Sequence, residues 1–481
     1  MQIGNRLRCY PTPAQQNKLL QWLGCQRFIY NAKVGEDRYY RQFARKSLCH
    51  TGQFAPIDQQ YSQFKDPELT PWLSEVPSQL LRNGATKWKQ AYTRYFAGLG
   101  GRPVIQTRHG KQSVWLTSEL FSFAPTTDPA TGQVTYVLHI GTKKHALGAL
   151  AFVAHRGAFK PPASIHLSVH AGRWHLSFTY DDGVVEPPTE EETAQWLRSF
   201  NAPELEAMTL GLDRGVNLPL ASSDGQPFEF RAIEKKRLKK QEKFKKRWQR
   251  RLARRVKGSG RREKAKRRVA QCQRYGADVR RDFCHQTSHA LVADAGYKLF
   301  VFEALKVKNM TASAKGDAQK PGKKVRQKAG LNRSILASGW GQIKLYTQYK
   351  ARRVGKLSIE VPPHYSSQEC SQCGFTHQDN RRTQAAFVCQ SCHYTDNADT
   401  NAAKVLVKRG VALVLSDGLV KKKVKRVGIT KQKAKKVGAE CSEPAGEIQS
   451  TLVEILVNRQ GGNTLACVSV KRETPVATLG V

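Results

Sequence analysis

The sequence predicts an α/β protein of several domains, and three features carry that expectation. Two helical stripes occupy the first hundred residues, short alternating runs separated by Gly and Pro fill residues 113–182, and from Met208 onward apolar strands alternate with long helices. The 481 residues leave room for two to four domains, and a hydrophobic content of 40% is enough for real cores. Charge narrows the partner class. Eighty Lys and Arg against 38 Asp and Glu leave a formal +42, which repels itself in a compact state and points to a polyanion, nucleic acid first and an acidic membrane surface second. No stretch approaches the roughly 18 apolar residues of a membrane span, and the first residues, MQIGNRLRCYPTPAQQNKLL, lack the apolar core of a secretory signal. Export and membrane insertion are therefore not expected.

Taken in order, residues 2–10 read as a strand, followed by Thr12 as an N-cap and Pro13 at the first helical position. Leu19, Leu20, Leu23, Phe28 and Ile29 give that helix an apolar face to about Asn31. A second helix is predicted over Ser78–Phe96, where Leu81, Ala85, Trp88, Tyr92 and Tyr95 recur at helical steps; ordinary core packing accounts for both stripes. The runs SVWL, TYVLHI, SIHLSV and RWHLSFTY predict a small antiparallel sheet or barrel. Residues 183–207, acidic and Pro-containing in a basic chain, read as a linker. MTLGLDRGV then reads as a buried strand that opens a three-stranded antiparallel start with PLASS and FEFRA. Residues 235–268 carry twenty Lys and Arg against Glu242 and Glu263 and predict a long helix broken near Gly258–Gly260. Beyond it come a strand in KLFVFEAL, a basic loop over 315–330, a helix over SGWGQIKLYTQYKARRVG, a strand in LSIEVPP and a last helix in TNAAKVLVKRG. The tail from Val411 shows no sustained periodicity and reads as disordered; no internal repeat is visible.

Of the eleven cysteines, seven (Cys9, Cys25, Cys49, Cys272, Cys284, Cys441 and Cys467) are scattered. The other four form two CxxC pairs, Cys370/Cys373 and Cys389/Cys392, fifteen residues apart. Without an export signal the compartment is reducing, which disfavours disulfides and favours a metal. Four thiolates in two knuckles suit the tetrahedral preference of zinc, and Gly374 supports a tight first knuckle. Cys389 to His393 also spells CxxCH, a haem-attachment pattern, but attachment needs export and would leave the first pair unexplained.

Asp213 lies in one apolar strand, Glu303 in another, and Asp399 just before the last helix. A lone buried carboxylate costs several kcal/mol unless it is paired or bound to metal. Three converging acids suit two-metal phosphoryl chemistry, in which carboxylates hold two Mg²⁺ about 4 Å apart. Each acid also has a plain explanation: a strand-end turn for Asp213, a lysine partner for Glu303, an N-cap for Asp399. Their order, strand acid, antiparallel hairpin, helix, strand acid, helix-borne acid, is the plan of an RNase H-like nuclease core.

The segments YPTPAQQNKLL, CQRFIYN, GRPVIQTRHGKQSVWL, GLDRGV, VFEALKVKNM, SGWGQIKLYTQYKARRVGK, PHYSSQECSQCG and CHYTDNADTNAAKVL span roughly residues 5–407. In them the chain resembles TnpB, the RNA-guided nucleases of bacterial insertion sequences related to type V CRISPR effectors. The resemblance implies a RuvC-type core over 208–362 and 393–410 with Asp213, Glu303 and Asp399 as catalytic, magnesium-holding acids. A zinc ribbon over 363–392, holding zinc on Cys370, Cys373, Cys389 and Cys392, is implied as a target-binding element. Residues 1–10 and 113–182 would form a wedge-like β domain, and 11–112 a helical recognition lobe. Asp396, three residues before Asp399, is the competing registration; the DxNAA context favours Asp399. Arg381 or Arg382 resembles an arginine that the family places near the scissile phosphate. The family resemblance further implies a guide RNA from the chain's own element, double- and single-stranded target DNA read beside a short motif, and a cytoplasmic, nucleoid-associated location. A channel of Lys and Arg would hold the RNA–DNA heteroduplex by its backbone, with sequence read by base pairing; residues 235–268 suit such a channel, or else a solvated helical face. The competing class is a non-cleaving RNA-guided or sequence-specific DNA-binding regulator, against which the three intact acids count. A strand-joining transposase is a third reading, disfavoured because the resemblance is to a transposase's companion.

Overall fold

The computed structural model describes residues 2–44, 57–108, 110, 112–127, 134–153, 159–181, 183–317 and 319–416. The expected C-terminal tail beyond residue 416, with Cys441 and Cys467, lies outside the described residues, as does Cys49. The chain divides into two compact units with the boundary between Val184 and Val185.

The first unit opens with β1 (Gln2–Cys9) and α1 (Pro13–Tyr39). Thr12 caps α1 as predicted, in a reciprocal capping box with Gln15 that satisfies two otherwise orphaned amides. The helix runs eight residues past the expected end. Lys33, whose side chain is fully buried, allows the extension because Glu36 and Asp58 pair with it and the Trp88 ring lies 5.1 Å away. α2 (Ser78–Phe96) lies where the stripe predicts it. The strands are β2 (Gln112–Thr117), β3 (Phe121–Thr127), β4 (Val134–Ile140), β5 (Gly148–Leu150), β6 (Phe152–Val153), β7 (Ser164–His170) and β8 (Arg173–Asp181). They make two antiparallel sheets, ordered β2-β7-β8-β1-β6 and β3-β4-β5. Leu19, Leu23, Phe28 and Leu81 share one core with Val114, Leu116, Leu167 and Leu176. The expected boundary at 112/113 therefore does not separate two hydrophobic cores.

The second unit corrects the linker reading of 183–207. That stretch forms α3 (Glu190–Leu197) and α4 (Ala202–Ala207), each with a capping box, Thr189 with Glu192 and Asn201 with Glu204. Leu197 and Leu205 are fully buried against the unit's sheet. Four of the six acids in that stretch, Glu190, Glu191, Glu192 and Glu204, lie in the first turns, where the helix dipole favours them. The sheet contains β9 (Thr209–Asp213), β10 (Leu220–Ser222) and β11 (Pro227–Phe228), the predicted antiparallel start, and the strands that follow extend it. The basic run forms α5 (Ala232–Ala253) and α6 (Gly260–Ala293), separated near Gly258 as predicted. Next come β12 (Leu299–Glu303), α7 (Val307–Met310), α8 (Val325–Ser338), α9 (Trp340–Arg353) and β13 (Leu357–Val361). α8 occupies the end of what reads as a loop over 315–330. Sheet order is β11-β10-β9-β12-β13, with β9, β12 and β13 parallel, and β12 is buried along its whole length.

A short ribbon, β14 (Ala386–Val388) with β15 (Thr395–Asn397), leads into α10 (Ala398–Leu415). That helix runs past the expected limit at 410, and Val411 and Val414 are buried among β12, β13 and α3 residues. Gly410 explains both facts. A Cβ there would stand 2.3 Å from Val301 Cγ2, so this glycine lets the helix lie close on β12 instead of ending it. Among the described residues, no helix is long and apolar enough to cross a membrane.

Candidate functional site

Asp213 is the last residue of β9 and Glu303 the last of β12. Because Leu212 pairs with Phe302 in parallel register, the two acids stand side by side at the carboxyl ends of adjacent strands. α10 brings the third. It packs directly on β9, where a Cβ on Gly211 would fall 1.9 Å from the Ala403 carbonyl oxygen, so only glycine fits beneath the helix. Asp399 then sits in the first turn of α10, but it is not the cap. The Asn397 side chain accepts from the backbone amides of Asp399 and Thr400, leaving the Asp399 carboxylate to accept from Arg381 Nη2 at 2.8 Å.

The electrostatics follow from that placement. Burial and then the negative charges of Glu303 and Asp399 push the Asp213 carboxyl up to about 7, opposed by Arg381 and a backbone hydrogen bond from Arg214. Burial also raises Glu303; the Ser366 hydroxyl, which donates at 2.8 Å, the Arg214 and Arg409 charges and hydrogen bonding with Asp213 offset this only in part. Asp396 is engaged elsewhere. Burial favours its neutral form, yet Lys404 and the Tyr394 hydroxyl, each 2.7 Å away, hold it below the usual carboxylate range. The structure thus brings Asp399, and not Asp396, to Asp213 and Glu303.

The four cysteines of the CxxC pairs also converge, with all four sulfurs within 4.8 Å of one another. Cys370 and Cys392 sulfurs are 3.7 Å apart, and those of Cys373 and Cys389 are 3.6 Å apart. Metal–thiolate bonds of about 2.3 Å in a tetrahedron place sulfurs about 3.8 Å apart, so the set fits one metal ion. The two knuckles repeat each other. The amides of Gly374 and His393 bond back to the carbonyls of Cys370 and Cys389, and both residues have positive φ, 76° and 59°. His393 therefore holds the knuckle's left-handed turn, which gives the CxxCH string a structural reading. Among the described residues, these cysteines are the tight metal-ligand group; the three carboxylates are more loosely gathered, with Arg381 among them.

Three family models match the chain: a helix-turn-helix domain of the OrfB/IS605 type over residues 1–42, a "probable transposase" of the same type over 185–314, and a Cas12f1-like TNB domain over 340–406. The "Putative RNA-guided DNA endonuclease InsQ" of Escherichia coli (strain K12) is 29% identical over 410 residues, covering 85% of this chain and 92% of that protein. These matches make the chain similar to TnpB-type proteins of insertion sequences. A TnpB-like protein of Aquifex aeolicus (strain VF5) is 37% identical over 90 residues, 17% of this chain and 27% of its own. The solved structure of a mini-RNA-guided endonuclease, CRISPR-Cas phi3, superposes with a TM-score of 0.40 at 10% identity, covering 86% of this chain and 93% of that one.

Several groups that shape this site carry no signal as isolated letters. Arg214, buried beside the Phe302 ring, donates to the Glu303 carbonyl, and Trp340 Nε1 donates to the Gly215 carbonyl at 3.0 Å, fixing the turn after Asp213. Arg214 is already present in the GLDRGV motif. Asn401, fully buried, accepts from the Ser371 amide and donates to the Glu369 carbonyl, tying the first knuckle to α10; it is the Asn of the DxNAA context. Of the two arginines considered, Arg381 reaches the carboxylates and Arg382 is exposed.

Proposed function

We propose that this chain is a TnpB-type, RNA-guided DNA endonuclease of an insertion sequence, cutting target DNA beside a short adjacent motif by two-metal hydrolysis. The observation that carries the proposal is the convergence of Asp213, Glu303 and Asp399 from two parallel strand ends and a helix start. Sheet order and acid placement support an RNase H-like, RuvC-type core over 208–362 and 393–410, continued by α10 to Leu415. When bound, two Mg²⁺ would activate the attacking water and stabilise the leaving oxygen.

The chain's own residues prepare for that charge. Burial, and then the charges of Glu303 and Asp399, favour the protonated form of Asp213, and a divalent cation held by the three carboxylates would relieve that repulsion. Ser366 orients Glu303, Asn397 fixes the helix start that carries Asp399, and Arg381 supplies a cation able to pair with a strand phosphate. Cys370, Cys373, Cys389 and Cys392 would hold one structural zinc within a ribbon over 363–392 that contacts target nucleic acid. The expected wedge-like and recognition roles of the first unit complete the proposal, with a guide RNA and target DNA as partners. A relative named as an RNA-guided DNA endonuclease supports the reading.

The test is to co-express the chain with the transcript of its own element, purify the complex and offer matched duplex DNA with Mg²⁺. Cleavage that depends on the guide sequence supports the nuclease reading. Guide-dependent binding with the DNA left intact in the unaltered protein would favour the non-cleaving regulator.

A further inference from the structure

The hairpin of α5 and α6 holds a groove that the carboxylate and cysteine chemistry does not use. α5 carries eleven Lys and Arg against Glu234 and Glu242, and the only side chain it buries is Glu234. A helix that buries no apolar residue has no reason of its own to carry large rings. Yet Phe244 and Trp248 stand one turn apart on it, and Phe244 is 38% exposed. Together with Tyr275 of α6 they line a groove of about 590 Å³, whose walls also include Lys264, Arg268 and Gln271. Guanidinium groups lie over two of the rings, Arg251 4.7 Å from the Trp248 ring and Arg247 5.9 Å from that of Phe244.

Flat rings interleaved with cations are what an unpaired strand requires: bases stack on the rings while Lys and Arg track the phosphates. A duplex hides its base faces and gains little from the rings. Gln271 lines the groove, and its amide can both donate to and accept from a ribose 2′-hydroxyl, which favours RNA over DNA. From this geometry we infer that the groove between α5 and α6 is a stacking site for an unpaired segment of RNA, with Trp248, Phe244 and Tyr275 as the platform. The inference rests on the RNA-partner part of the proposed function and is independent of cleavage.

The test measures binding of the full-length protein, without added divalent metal, to oligouridylate, to oligodeoxyuridylate of equal length and to a blunt RNA duplex across a range of salt. Trp248→Ala should weaken oligouridylate binding about tenfold while leaving the duplex within about twofold. The slope of log affinity against log salt should not change, because no charge is lost. Arg268→Ala should instead flatten that slope by about one unit. Trp248→Tyr, which keeps a flat ring, should restore most of the affinity. Phe244→Ala, at an exposed ring, supplies a second platform variant should Trp248→Ala fail to fold. Platform variants that bind oligouridylate within twofold of the parent overturn the inference, as does equal weakening on the duplex. Equal affinity and equal loss on oligodeoxyuridylate overturn the RNA assignment. Guided cleavage does not enter these readouts, so they stand apart from a failure of the nuclease reading.

Discussion

Asp213 concentrates the site's electrostatic tension. A carboxyl whose folded value is raised binds its proton more tightly in the folded than in the unfolded state, so stability falls as pH rises from the ordinary carboxylate range through about 7. Metal-free protein should accordingly unfold at a lower temperature at pH 8 than at pH 6. Asp213→Asn, which removes the charge, should raise the unfolding temperature at pH 8 by roughly 2–4 °C for each kcal/mol regained, with little gain at pH 4. A pH profile that is identical in parent and variant would contradict the assigned tension. Arg381 has the complementary role. It pairs with Asp399 at 2.8 Å while both are largely shielded from water, and a cation there competes with any metal for the same oxygen. Arg381→Ala should tighten Mn²⁺ binding, followed by electron paramagnetic resonance, by about fivefold, the equivalent of about 1 kcal/mol. Weaker Mn²⁺ binding would mean that Arg381 shapes the site instead of competing for it.

At the scale of elements, the site depends on how α10 seats on the sheet. Gly211→Ala pushes a methyl group into the Ala403 carbonyl, a backbone atom that cannot swing aside. Overpacking of this kind costs roughly 1–3 kcal/mol, and calorimetry should show the unfolding temperature of the second unit several degrees lower. An unaltered transition would show that the helix has slack. The knuckles make a separate claim: purified protein should contain about one zinc per chain, and Cys373→Ser, at an exposed ligand, should lower that content. Less than about half an equivalent in the parent would remove the ribbon. Much of this architecture was legible because its signals are local. The Thr12 cap, the Ser78–Phe96 stripe, the break at Gly258, and single acids in apolar strands each occupy a few neighbouring letters. What escaped depends on distant partners. Acids in 183–207 masked the two leucines that dock α3 and α4, Gly410 resembled a helix stop until Val301 appeared beneath it, and Lys33 becomes tolerable only beside Glu36 and Asp58. The same holds for the site, where Asp213 and Glu303 stand out in sequence, whereas the choice of Asp399 over Asp396 rests on Lys404 and Arg381 side chains placed by tertiary packing.

Over the whole molecule the charge is uneven. Twenty of the eighty basic residues fall within 235–268, and α5 and α6 display them on a hairpin of the second unit, while the acidic stretch 183–207 caps two helices of the same unit. Phosphates gathered along such a surface release many counterions, so RNA affinity should fall by several orders of magnitude between low and physiological salt. An affinity that barely changed across that range, in filter binding, would contradict a backbone-holding role. The proposed function makes Asp213, Glu303 and Asp399 one metal-holding set that cuts DNA under RNA guidance. Its most direct measurement is guided cleavage of matched duplex DNA with Mg²⁺ by the parent protein, Asp213→Ala, Asp399→Ala and Asp396→Ala, with target binding measured alongside. Under this assignment the parent cuts, Asp213→Ala and Asp399→Ala bind the target but leave it intact, and Asp396→Ala retains cleavage. Guided cutting by Asp213→Ala or Asp399→Ala, or loss of cutting in Asp396→Ala alone, would contradict it.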